Sequence, residues 1–136
     1  MLDLCAGKPP LVPWEAYRVY RMKFPIVIEN SRIPKFLSIF IDIWAITLCP
    51  FIICRGEMND VTLNHEKIHI RQQAELLIFG FYVLYAYYWL KARLWYKLDN
   101  HAAYMAIPFE GEAYSMEEDM DYLKNRKWFA WWKYFR

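Results

Sequence analysis

The sequence predicts an α+β domain, with a small antiparallel sheet packed on one long helix and a second, acidic helix. Three observations carry that expectation. The N-terminal half holds β-branched apolar runs broken by prolines and turn residues, a long helical pattern opens at Asn64, and an acidic segment started by a proline follows at Pro108. At 136 residues the chain has the length of a single domain, so these parts are expected to share one core.

Residues 1–13 read as an irregular arm, broken by Pro9, Pro10 and Pro13. Residues 14–63 read mostly as strands and loops. In "FPIVIE" the β-branched run predicts a strand that ends at the "ENSR" turn. Residues 36–54 are apolar over a length that could cross a bilayer, but Asp42 lies inside the run and Pro50 would disrupt a helix. The isoleucines, Thr47 and Phe51 favour extended structure, with a membrane or buried helix as the alternative. On the strand reading Pro50 belongs at an edge, and "RGEMND" followed by "VTL" joins two strands of a hairpin.

Residues 64–136 read as helical. Asn64 suits an N-cap, and the helix is expected to run to about Tyr96, broken or bent at Gly80, with Lys91, Arg93 and Lys97 near its end where the macrodipole favours cations. Residues 76–90 are apolar on all faces, which predicts a buried or membrane-facing helix. Pro108 opens a further helix whose early turns are acidic and whose late positions include Lys124, Arg126 and Lys127.

Composition narrows the function classes. Hydrophobic residues make up 57% of the chain and aromatics 20%, which excludes a disordered or low-complexity protein. A formal charge of +2 is too small to predict nucleic-acid binding. Cys5, Cys49 and Cys54 give neither a paired disulfide set nor zinc-ribbon spacing, so a reducing, cytoplasmic setting is expected. The first residues lack the basic start and unbroken apolar run of a secretory signal, and Gly7-Lys8 lacks the glycine pattern of a phosphate loop.

The chemistry-bearing stretch is "NHEKIH", residues 64–69. Its H-E-x-x-H spacing puts His65 and His69 on one helix face, where both imidazoles can reach one metal ion. Glu66 turns aside towards a water on that ion, whose pKa zinc lowers, and can take its proton as general base. A third protein ligand is then needed. Gln72 and Glu75 stand where the extended three-histidine pattern requires glycine and histidine, so the ligand must come from elsewhere. Glu110 and Glu112 on the acidic helix are the candidates.

"NHEKIHIRQQ" followed by "FEGEAY" resembles the gluzincin-type metallopeptidases, in which a glutamate on a later helix completes H-E-x-x-H, often within E-x-E-A-D. The longer runs "HEKIHIRQQAELLIFGFYVLY" and "AIPFEGEAY" are similar to small uncharacterised H-E-x-x-H proteins of bacterial and phage genomes. The resemblance covers roughly residues 40–136 and implies a zincin-like fold, zinc as cofactor, His65, His69 and Glu110 as ligands, and Glu66 as general base. The aspartate that orients a histidine in the family pattern falls on Tyr114, whose hydroxyl could accept the same N–H.

The expected function is a zinc-dependent hydrolase, most readily a small metallopeptidase whose edge strand near residues 43–54 holds an extended peptide or protein substrate. The alternatives are a structural or assembly subunit that keeps the scaffold without catalysis, and a small membrane-associated protein. In the tail "RKWFAWWKYFR", Trp128, Trp131, Trp132 and Phe135 have the spacing of one helical stripe packed on the core. Facing outward, the same stripe would serve a protein complex or a membrane surface. His101 reads as a loop residue. Tyr104, Tyr114 and Tyr122 are the candidates for stabilising an oxyanion.

Overall fold

Ile52, Ile53 and Cys54 are buried in succession, which a strand shows only when both of its faces are covered and both edges paired. The computed structural model, which describes residues 24–38 and 44–135, makes this segment the centre of a three-stranded sheet. The elements are β1 (Ile26–Ile28), α1 (Ile33–Leu37), β2 (Ala45–Leu48), β3 (Phe51–Cys54), α2 (Asp60–Glu75), α3 (Phe79–Leu94), α4 (Asn100–Met105), α5 (Pro108–Met116), α6 (Tyr122–Asn125) and a terminal 3₁₀ turn, Ala130–Tyr134. The arm expected over 1–13, the segment 14–23 and Asp42 lie outside the described residues.

The sheet is mixed, in the order β1-β3-β2, and this corrects the antiparallel sheet read from the sequence. β2 and β3 form an antiparallel hairpin with Ala45 opposite Cys54 and Leu48 opposite Phe51. β1 lies parallel to β3, with Ile26 beside Phe51. Pro50 is in the hairpin turn, where no ladder donor is required, and its carbonyl accepts from the Ile26 N–H at 3.0 Å, fixing the register of β1. "VTL", expected in a strand, lies in the first turns of α2.

α2 begins earlier than expected because Asn59, not Asn64, is the cap: its side chain accepts from the Thr62 N–H at 2.7 Å. Asn64 is buried and donates to the carbonyls of Glu117 and Asp119, at 2.9 and 3.0 Å, holding the end of α5 against α2. The helix expected to break or bend at Gly80 is two helices, and the break falls just before that glycine. Leu77 and Ile78 have φ of 54° and 59°, a region that residues other than glycine seldom adopt, and the turn folds α3 back against the site. A straight continuation would have carried Phe81 and Tyr85 away from the core.

α5 starts with Pro108 in its first turn, as expected, but ends at Met116, so Lys124, Arg126 and Lys127 belong to later segments. "NHAAYM" forms α4, capped by Asp99, whose carboxylate accepts from the Ala102 N–H at 2.8 Å. Phe81, Ile107, Phe109 and Trp131 form the aromatic core between α3, α5 and the terminal turn. Gly111 permits that packing: a β-carbon there would lie 3.3 Å from Tyr134 Cβ. Only part of the tail stripe packs inward. Trp131 is buried and Phe135 half-buried, whereas Trp128, which precedes the 3₁₀ turn, and Trp132, about 120° round that turn from Trp131, are exposed. Among the described residues no helix is long and apolar enough to cross a membrane.

Candidate metal centre

His65 and His69 lie one turn apart on the buried face of α2, and α5 crosses that face with Glu110 in its first turn. Their side-chain donor atoms converge. The two Nε2 atoms are 3.1 Å apart, His65 Nε2 is 3.4 Å from Glu110 Oε2, and His69 Nε2 is 3.3 Å from Glu110 Oε1. All three side chains are buried, and the group could hold a metal ion.

The other ring nitrogen of each histidine is held by an oxygen. His65 Nδ1 is 2.8 Å from Glu117 Oε2, and His69 Nδ1 is 2.8 Å from Gln72 Oε1. With both Nδ1–H groups donating to these acceptors, the Nε2 lone pairs face the common point, as metal ligation requires. The Gln72 amide is fixed in turn by donating to the Phe109 carbonyl at 3.1 Å and to Glu112 at 3.0 Å. Glu110 accepts from the Tyr85 and Tyr104 hydroxyls, each at 2.8 Å. Burial pushes both phenols up, so they remain neutral donors.

Burial pulls the pKa of His69 down, but the charge and hydrogen bond of Glu110 outweigh it and push the imidazole up to about 9. Burial likewise raises Glu110, and the two imidazoles more than reverse this, holding it well below the usual carboxylate range.

Glu66 lies on the wall of a cavity of about 650 Å³, which His65, His69, Glu110 and Tyr114 also line. Its Oε2 accepts from the Thr47 hydroxyl of β2. The Thr47 carbonyl accepts from Gln73 Nε2 at 2.9 Å and from the Tyr82 hydroxyl at 2.6 Å, while Gln73 Oε1 accepts from the Cys49 N–H at 3.0 Å. These bonds clamp β2 to α2 and α3 and set Thr47 beside Glu66. They also narrow the substrate edge expected over 43–54. β3 is central, Thr47 is occupied, and strand alternation leaves Ala45 as the open edge position on the cavity.

Two of the sequence candidates have other roles. Glu112 is turned away from the triad and is consumed by Arg126 and Tyr122: Oε1 accepts from Arg126 Nε at 2.6 Å and from the Tyr122 hydroxyl at 2.7 Å. Tyr114 does not take an imidazole N–H. Its ring stands edge-on to His65, with centroids 4.7 Å apart, and its side chain is half exposed to the cavity. The orienting acceptors are Glu117 and Gln72, both missed in the sequence. Glu117 is seven residues from Glu110 and so on the same helical face, and Gln72 is one turn beyond His69, so helical spacing could have found both. Tyr104 and Tyr114 line the cavity and Tyr122 does not; His101, in the first turn of α4, lies at its rim.

Compared with protein-family models, curated proteins and solved structures, the chain matches none.

Proposed function

We propose that the chain is a zinc-dependent hydrolase, and specifically a small metallopeptidase. The observation that carries this reading is the convergence of His65 Nε2, His69 Nε2 and Glu110 on one point beside Glu66, at the wall of an open cavity.

The donor set fits zinc. Two imidazole nitrogens and a carboxylate oxygen are ligand types of catalytic zinc sites, and each Glu110 oxygen faces one of the imidazoles, Oε2 at 3.4 Å from His65 and Oε1 at 3.3 Å from His69. Three protein ligands with a fourth position facing a cavity is the arrangement of a catalytic rather than a structural zinc site. Zinc supplies Lewis acidity there, bringing the pKa of water in the open position towards neutrality and polarising a carbonyl.

The residues of the chain do the rest. Glu66 takes the proton of the attacking water and delivers it to the departing amine, with the Thr47 hydroxyl holding one of its oxygens. Glu117 and Gln72 keep both imidazoles in the ligating tautomer. Tyr114, half exposed beside His65, presents a phenol able to donate to an oxyanion. An extended substrate pairs with β2 at Ala45, which aligns a peptide bond along the cavity floor.

Glu66→Gln tests the assignment. It should retain zinc and lose about 10²–10⁴-fold in cleavage of an unstructured peptide mixture, read by mass spectrometry. Cleavage at the wild-type rate by that variant, or none by zinc-loaded wild type, would contradict the proposal.

A further inference from the structure

α3 carries a second face that the metal site does not use. Phe79, Val83, Ala86, Tyr87, Leu90 and Leu94 recur at helical spacing and fall within about 100° of the helix circumference. All six are exposed, the five large ones from 47% at Leu90 to 78% at Phe79, and Trp95, 80% exposed, follows at the helix end. Phe81 and Tyr85, which line the cavity, lie on the opposite side of the helix, with Tyr82 at the flank between. The outer face is therefore separate from the site.

The apolar surface continues beyond α3. Tyr87 contacts Tyr88, Tyr88 contacts Phe135 and Phe135 contacts Trp132, with ring centroids 5.2, 5.2 and 5.0 Å apart. Trp132 is itself 67% exposed. Along α3 itself the charge is of one sign. Lys91 and Arg93 flank the stripe on its two sides, Lys97 follows it, and no acidic residue occurs from Leu76 to Leu98.

We propose that this face is a docking surface for an anionic lipid bilayer, on which α3 lies parallel to the membrane plane. Exposed Trp, Tyr, Phe and Leu on one helical face, rimmed by Lys and Arg, match an interface of acyl chains below and anionic headgroups above. The helix lies on the membrane and does not span it, because its 16 residues extend about 24 Å, less than a hydrocarbon core. The positions 83, 87, 90 and 94 would also suit pairing with a second copy, but an identical face offers its cations no acidic partner. Anionic lipid supplies one.

Vesicle flotation of the full chain tests this directly, using phosphatidylcholine alone and phosphatidylcholine with about one third phosphatidylglycerol. The wild type should float with the anionic vesicles and do so less at high salt. Val83→Asp with Leu90→Asp should lower the bound fraction at least about tenfold, and Lys91→Gln with Lys97→Gln roughly tenfold on anionic vesicles only. These side chains are exposed or at the stripe's rim, so circular dichroism and metal content should stay as in the wild type, which separates the result from the fate of the zinc reading. If the aspartate pair disturbs the fold, the lysine pair decides. No flotation with either vesicle, or flotation that neither pair changes, overturns the proposal. So does a wild-type dimer that floats with neither vesicle and that the aspartate pair dissociates, which would assign the face to a second copy.

Discussion

Replacing Arg126 with methionine removes the charge that two buried carboxylates share. The guanidinium binds Glu112 through Nε and Nη2, at 2.6 and 3.0 Å, and Glu75 through Nη1 and Nη2. Side-chain exposure is 1% for Arg126, 3% for Glu75 and 0% for Glu112, so water cannot take over the lost interactions. Breaking a buried pair from one side costs about 3–5 kcal/mol, a large part of the roughly 5–15 kcal/mol that stabilises a domain. For a chain of this size that corresponds to about 10–20 °C in Tm. Glu75 also accepts from the Phe129 N–H at 3.0 Å and from Trp131 Nε1–H at 2.9 Å, so the terminal turn should loosen with it. Urea unfolding followed by tryptophan fluorescence reads both effects. Arg126→Lys, which keeps the charge but not the planar fork, should fall between wild type and methionine. A loss below about 1 kcal/mol for Arg126→Met would refute the reasoning, since that is the range of a solvated surface pair.

Glu117→Gln should weaken metal affinity roughly tenfold to a hundredfold in chelator competition, because it exchanges a carboxylate acceptor at His65 Nδ1 for an amide, whereas Tyr114→Phe should leave affinity unchanged. The reverse order would return the orienting role to Tyr114. Ile78→Gly should raise stability by about 1 kcal/mol in denaturant titration, since Ile78 holds φ at 59° and the strain relieved outweighs the partial burial that a residue 43% exposed gives up. A destabilised glycine variant would show that the turn between α2 and α3 is not strained.

The site was more legible in the sequence than the fold. His65, Glu66 and His69 are fixed by spacing on one helix, a local property that survives an error in where the helix begins. Glu110 lies 41 residues beyond His69, and the sequence pointed to it because Pro108 opens a helix and the resembling pattern starts there. Glu112 looked equivalent by residue type. What separates the two is a tertiary partner, Arg126, which occupies Glu112 from another segment. Tyr114 looked like the orienting residue because the resemblance was read position by position, while the chain supplies the acceptor one turn later, from Glu117. In the fold, the apolar runs identified strands but not their pairing: β1 and β2 are both apolar, and only the doubly buried β3 shows that they flank it. The helix break was legible at Gly80 but not its place two residues earlier, because Leu77 and Ile78 are poor residues for positive φ, held there by how α3 packs.

The central claim is that His65, His69 and Glu110 hold zinc. Elemental analysis of the purified chain, beside a His65→Ala, His69→Ala variant, tests it most directly. The account predicts about one zinc per chain in the wild type and none in the variant. A folded wild type that takes up no zinc when it is offered, or a variant that binds as much as the wild type, would contradict it.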